Sequence, residues 1–172
     1  LGEPILQGQI SFGKGQMLMK DYQSTEEIFV VLLEMCEEVA RRTRTAGFAG
    51  RTISLGISYS HSAMTKGFFR SKTINEPTNE TLALYRVCKE LFLTYFKGES
   101  VRQIAIRLTN IESVASVQLD LFDEGKEKRQ SLAYTMDHLR TKYGASAVLR
   151  AVSYTPAGTA LHRQRLVGGH LA

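Results

Sequence analysis

Long apolar runs are missing from this sequence, since no stretch approaches the ~18 residues that a bilayer-spanning helix needs. A charged-then-apolar leader is missing too. Both absences point to a soluble, cytoplasmic protein that is not exported and has no membrane partner. Cysteine is scarce: Cys36 and Cys88 form no C-x-x-C pair and have no histidine cluster nearby, which excludes a disulfide framework or a zinc finger. Each falls at an apolar position of a helix-like pattern, so both are expected to be reduced core thiols. The four histidines, His61, His138, His162 and His170, lack ligand-like spacing, and neither Ser nor Cys has a base partner in sequence. The chain is therefore expected to hold no catalytic centre, no metal and no cofactor. It starts at Leu1 rather than Met with a strand-like segment almost at once, which suggests a piece of something longer.

What is present is enough for one ordinary core and an appendage: 172 residues, 43% of them hydrophobic. Ser24-x-x-Glu27 is a capping box, and Ile28, Val31, Leu32, Met35 and Val39 follow at helical spacing until Gly47. A second helix is predicted after Pro77-Thr78-Asn79, with Leu84, Val87, Cys88, Leu91 and Tyr95 as its stripe and Gly98 as its stop. Elsewhere the period is two. Ile53, Leu55, Ile57 and Tyr59 alternate with Thr52, Ser54, Gly56 and Ser58; Ile104, Ile106 and Leu108 alternate with Gln103, Ala105, Arg107 and Thr109. Gly8 to Met19 and Gly67 to Ile74 are weaker strands. The order strand-helix-strand-strand-helix-strand predicts an α+β fold, a four-stranded sheet with two helices on one face, the other face open and lined by the polar alternates.

Charge divides along the same lines. The strand regions carry Lys14, Lys20, Arg51, Lys66, Arg70, Lys72, Arg102 and Arg107 and no carboxylate, whereas Asp and Glu collect in the helices. A face without carboxylates suits a polyanion, because a carboxylate would repel phosphates. Strands are poor in Asp and Glu in any case, so the pattern also has an ordinary explanation. By parity Arg70 and Lys72 project together, and they are expected on the open face with Arg107; Arg51 and Arg102 are out of phase. Glycines 13 and 15 would let a phosphate approach the backbone, or would form a bulge in an edge strand. Glu34, Glu37 and Glu38 are expected to be solvated on the polar side of the first helix.

Beyond Ile111 an uncharged connector, Ser113 to Val117, leads to Gln118-Leu119-Asp120-Leu121-Phe122. A third helix is predicted from about Lys126 to Lys142, with Leu132, Met136, Leu139 and Tyr143 on one face. Ala147 to Val152 reads as a strand or a helical turn, and Pro156-Ala157-Gly158 breaks it off.

Several segments resemble the little-finger domain of Y-family DNA polymerases, in the ImpB/MucB/SamB group of Gram-positive bacteria. They are Ser11-Phe12-Gly13-Lys14-Gly15, Gly50-Arg51-Thr52-Ile53-Ser54-Leu55, Phe69-Arg70-Ser71-Lys72-Thr73-Ile74, Glu76-Pro77-Thr78-Asn79 and Val101-Arg102. Their order and spacing carry the likeness; no single piece is specific. It departs at Phe12, where the family usually has Ile, and at Lys14, where His or Arg is common. The resemblance implies a non-catalytic DNA-binding part of a translesion polymerase used in DNA repair and damage tolerance. The open face would hold both backbones of primer-template DNA, with Ser11, Gly13, Lys14, Gly15, Thr52, Ser54, Ser58, Arg70, Lys72, Gln103 and Arg107 as contacts. Mg2+ and nucleotide would belong to upstream polymerase domains, the metal to palm carboxylates that no segment here matches. Gln118 to Phe122 is similar to the Gln-Leu-x-Leu-Phe peptide that binds the beta sliding clamp; taken alone, such a pentapeptide reads rather as a short buried strand, and its place after the last sheet strand and an uncharged tether turns the reading to clamp binding. Residues 1–112 would form the DNA-binding domain, 113–125 the linker with the clamp peptide, and 126–172 a helical extension.

Two other readings compete. An RRM-like RNA-binding module has the same element order, and Lys66-Gly67-Phe68-Phe69 begins like its aromatic strand, but Arg70 to Thr73 lack the further aromatics that stack bases. A small-molecule enzyme on a ferredoxin-like scaffold finds no catalytic constellation.

Overall fold

The two periods resolve into the expected order. The computed structural model describes residues 10–116, 124–167 and 170–171. Its main unit runs β1 (Phe12–Tyr22), α1 (Thr25–Thr45), β2 (Phe48–Tyr59), β3 (Gly67–Thr78), α2 (Thr81–Tyr95) and β4 (Val101–Ser113). The strands lie in the order β1-β4-β2-β3, each neighbouring pair antiparallel. Thus β1 and β3 are the edges. After a single-turn 3-10 helix at Val114–Ser116 come α3 (Glu124–Tyr143), a second 3-10 turn at Ala151–Tyr154, α4 (Ala160–Gln164), and the paired β5 (Leu166–Val167) and β6 (His170–Leu171). The segment left open between strand and helical turn therefore ends in a 3-10 turn.

Both helices cover one face of the sheet. Ile53, Leu55 and Ile57 of β2 and Ile104, Ile106 and Leu108 of β4 are buried against Val31, Leu32 and Met35 of α1 and Leu84 and Phe92 of α2. Each such side chain contributes about 1.5–3 kcal/mol when fully withdrawn from water. Cys36 and Cys88 meet inside this core with their sulfurs 3.8 Å apart. Burial pushes the Cys36 thiol well above its ordinary pKa, with the Cys88 contact adding to the effect, so it stays protonated and unreactive.

The first helix begins on half of the expected capping box. Ser24 Oγ accepts from the Glu27 amide at 3.4 Å, but the Glu27 carboxylate turns to Lys20, 3.3 Å away, rather than back to the cap. At the other end Gly47 takes φ +76° and donates its amide to the Arg44 carbonyl at 2.9 Å, closing the last turn.

Two expectations about the helices fail. Tyr95, assigned to the buried stripe of α2, is exposed, because it sits in the last turn over the β3 edge, where among the described residues only Phe68 and Arg70 cover its ring. The predicted apolar face of α3 is not its docking face either: Leu132 and Tyr143 are 62% and 65% exposed. Instead α3 is seated by polar residues, Asp137 and Arg140, both buried.

Their partners correct a third expectation. Glu34 is buried and Glu37 and Glu38 are partly buried rather than freely solvated, because the C-terminal segment folds back over the polar side of α1. Arg140 and Arg150 donate to Glu37 at 3.0 and 2.6 Å, and Arg163 and Lys14 donate to Glu38 at 3.2 and 3.0 Å. Glu34 accepts from the Thr159 and Ala160 amides at 2.9 and 3.2 Å and from the Thr159 hydroxyl at 2.7 Å. The same segment reaches β1, where Gln16 donates to Thr159 Oγ1 at 3.0 Å. Helix α1 is thus a middle layer, apolar towards the sheet and ionic towards the extension.

Candidate nucleic-acid interface

Residues directly opposite in an antiparallel pair project to the same face, so the register writes out the open side as cross-strand rows. Gly13, Arg107, Ser54 and Ser71 form one row from β1 through β4 and β2 to β3. The next is Gly15, Ala105, Gly56 and Phe69, and beyond it Met17, Gln103, Ser58 and Gly67. On the other flank Thr109, Thr52 and Thr73 align. In these rows Arg107 is the sole charged side chain, and it is exposed.

Hydroxyls tie β2 to β3 across this face: Thr52 Oγ1 lies 2.9 Å from Thr73 Oγ1, and Ser54 Oγ 2.8 Å from Ser71 Oγ. Ser54 is 5% exposed, so it belongs to the floor. Beside it a shallow depression of about 460 Å³ is lined by Ser11, Gly13, Gly15, Phe69, Ala105 and Arg107, among others. Glycine and alanine leave the backbone bare there, while Phe69, 57% exposed, rises at one side.

The structure brings together Ser11, Gly13, Gly15, Thr52, Ser54, Ser58, Gln103 and Arg107 of the expected contacts. The side chains of Lys14, Arg70 and Lys72 do not share that face, although Lys14 borders the depression. Lys14 pairs in register with Ile106, Arg70 with Leu55 and Lys72 with Ile53, so all three project to the helix side of the edge strands. Lys14 bonds Glu38, Lys72 bonds both oxygens of Glu90 at 2.6 and 2.7 Å, and the Arg70 guanidinium lies 4.9 Å from the Tyr95 ring centroid. Their stems lie along apolar surface while their charges reach the helix flank. The signal was in the sequence. Phe68 and Ile74, both partly buried against the core, share the parity of Arg70 and Lys72, as Phe12 and Leu18 share that of Lys14.

Sequence reasoning also missed Arg42. From the last turn of α1 its Nη1 donates to the Gly13 carbonyl at 2.7 Å, placing an exposed guanidinium at the β1 edge of the Arg107 row. The out-of-phase cations are both engaged: Arg51 with Glu112 at 2.5 Å and with the Asn75 carbonyl, Arg102 with Asp21 at 3.5 Å. The clamp-like peptide, Gln118 to Phe122, lies outside the described residues.

A model of the impB/mucB/samB family C-terminal domain matches residues 9–121. The chain belongs to that family. Over 170 residues it is 56% identical to the putative UV-damage repair protein UvrX of Bacillus subtilis (strain 168), covering 99% of this chain and 41% of that protein. It is 40% identical over 166 residues to DNA polymerase IV 2 of the same organism, covering 96% of this chain and 40% of that one. The chain therefore spans about two fifths of the length of these curated relatives. A chain of a solved complex of beta-clamp processivity factor and little finger domain of PolIV superimposes with a TM-score of 0.50 at 13% identity, over 66% of this chain and 100% of that one. At that identity the likeness is one of fold.

In this impB/mucB/samB domain the carboxylates do not fit a magnesium ion. Glu37 and Glu38 are each shared between two cations, and Glu34 is filled by amides and a hydroxyl. Burial pushes the Glu37 carboxyl up, but the Arg150 charge and the hydrogen bonds from Arg140 and Arg150 outweigh it and hold it below the usual range. Glu38 follows the same pattern, burial being outweighed by Lys14, Arg163 and Arg42. No helix among the described residues is long and apolar enough to cross a membrane.

Proposed function

We propose that this chain is the non-catalytic, DNA-gripping C-terminal part of a Y-family translesion DNA polymerase, and that the open sheet face holds primer-template DNA. The observation that carries the reading is the carboxylate-free set of rows around Arg107, with little side chain over the backbone at Gly13, Gly15 and Ala105. Phosphate contacts from backbone amides, hydroxyls and one or two arginines position a duplex without reading its sequence, as an enzyme that moves along DNA requires. The relatives' names, a UV-damage repair protein and a DNA polymerase, support the same assignment. In the parent protein, polymerase chemistry and the Mg2+ that supports it would belong to upstream domains.

Residues 1–112 act as the duplex-holding unit, 113–125 as a linker presenting Gln118-Leu119-Asp120-Leu121-Phe122 to the beta sliding clamp, and 126–172 as an extension built onto α1. Leu121 and Phe122 would fill an apolar pocket on the clamp and Gln118 pair at its rim. The fold likeness to a little finger from a clamp complex supports this placement. Cytoplasmic location follows from the same role.

Fluorescence anisotropy with a labelled primer-template duplex and a labelled single-stranded RNA tests the reading. Duplex should bind more tightly, indifferent to sequence, and Arg107→Ala should weaken it several-fold. A clear preference for RNA would overturn the assignment in favour of an RRM-like module, in which Phe69 would be a stacking platform.

A further inference from the structure

Between α1 and the extension, away from the open sheet face, lies a cavity of about 290 Å³ whose lining is unbalanced in charge. Five cations, Lys14, Arg41, Arg140, Arg150 and Arg163, share it with three carboxylates, Glu34, Glu37 and Glu38. The carboxylates are fully committed to the contacts already described. Glu37 and Glu38 are held below the usual carboxylate range, so at ordinary pH each supplies one full negative charge and no more. Two positive charges are in surplus.

The surplus can be located. Arg41 makes no hydrogen bond or ion pair among the described residues. Arg150 commits Nε to Glu37 and leaves both Nη groups without a partner among the described residues. A guanidinium carries five N–H donors and does not lose its proton, so these groups require acceptors from water or from a bound anion. One belongs to α1 and the other to the extension, so an anion accepting from both would bridge the two layers.

We propose that this cavity is a binding site for a small phosphate-bearing anion, with Arg41 and Arg150 as its primary donors and Arg163 as a supporting charge. Arginine forks match the paired oxygens of a phosphate. The volume lies at the lower end of the ~300–1,000 Å³ range of small-ligand sites, which suits a pyrophosphate-sized group rather than a whole dinucleotide. Leu33, Ala145 and Leu149 line the cavity as well. Because the site is complete only when the extension lies on α1, its occupant would stabilise the docked extension by mass action.

Inorganic pyrophosphate is the probe, titrated into the full 172-residue chain by calorimetry and by thermal unfolding, with sulfate at matched ionic strength beside it. Saturable pyrophosphate binding is expected, with a melting temperature raised by roughly 3–5 °C at about ten times Kd and a smaller effect of sulfate. Arg41→Ala, which breaks no bond of the fold, should weaken pyrophosphate at least tenfold and leave duplex DNA affinity unchanged. Arg107→Ala should do the reverse. No saturable binding, or binding lost in Arg107→Ala and kept in Arg41→Ala, would overturn the cavity as an anion site, and an equal response to sulfate would overturn it as a site for a phosphate-bearing anion. The two variants also separate its failure from failure of the DNA-binding reading.

Discussion

Arg44 and Asp137 form a forked pair across 93 residues of sequence: Nε donates to Oδ2 at 2.7 Å and Nη2 to Oδ1 at 3.1 Å. The Arg44 side chain is 1% exposed, and its remaining contacts are the Asn79 carbonyl at 2.8 Å and Glu37 at 3.9 Å. One guanidinium thus joins α1, the start of α2 and α3. Removing the carboxylate would strand a buried charge, a loss worth about 3–5 kcal/mol when one partner of such a pair is deleted. Asp137→Ala should therefore lower the urea midpoint markedly, and Asp137→Asn, which keeps an acceptor, should do so less. Equal midpoints for wild type and Asp137→Ala would show that α3 does not dock through this pair.

Acid should loosen the extension before it unfolds the sheet. Glu37 and Glu38 have folded pKa values below their unfolded value of about 4.3, so between the two the unfolded chain binds more protons and stability rises with pH. Their contribution is complete above the unfolded value and is lost as pH falls through the folded one. Hydrogen exchange should find the amides of α3 and α4 losing protection below about pH 4.5, ahead of those of β2 and β4. Glu37→Gln should flatten that dependence. Extension amides as insensitive to acid as the central strands would contradict it.

The main unit was legible because its signals agree: the period-two segments, the helical stripes and the glycine stop at Gly47 all point to one arrangement. Failures gathered where a parity or a face has two physical uses. Arg70 and Lys72 were placed on the open side because cations suit phosphates, yet Phe68 and Ile74 at the same parity anchor that side of β3 to the core. Likewise α3 carries an apolar stripe at helical spacing, but its buried residues are Asp137 and Arg140. Those partners lie about a hundred residues upstream on α1, and nothing in local periodicity encodes a pairing at that distance.

Gly67 supports the edge of the open face by having no side chain. Its φ is +119°, and a Cβ added there would lie 1.9 Å from the Ile57 carbonyl oxygen, the backbone neighbour across the β2–β3 pair. Since backbone cannot yield as a flexible side chain does, Gly67→Ala should cost more than about 1 kcal/mol, read as a lower denaturation midpoint. Gly15→Ala, with nothing within 4 Å of the added carbon, is the matched control and should leave the midpoint within about 0.5 kcal/mol.

Leu121→Ala combined with Phe122→Ala tests the clamp peptide apart from the fold. The pair should abolish binding to the beta clamp in a pull-down or surface-binding measurement, because the two anchors would contribute most of the peptide's affinity. Duplex DNA binding should be unaffected. Clamp affinity equal to that of the wild type would remove the assignment.

Arg107 of the central strand β4 and the cations of the edge strands should separate in salt. Each phosphate contact steepens the log–log salt dependence of duplex binding by about one unit. Arg107 stands in the open rows without a carboxylate partner among the described residues, so Arg107→Ala should remove close to that unit. Lys72 is bound to both Glu90 oxygens and Lys14 to Glu38, and either would have to surrender an ion pair to reach a phosphate, the exposed Lys72 pair being worth about 0–1 kcal/mol and the Lys14 pair partly buried. Lys72→Ala and Lys14→Ala should accordingly change the slope by less than half as much as Arg107→Ala. Arg42, already at the β1 edge beside Gly13, should rank between them. If Lys72→Ala instead moved the slope as far as Arg107→Ala, DNA would be wrapping over the β3 edge rather than lying along the rows centred on Arg107.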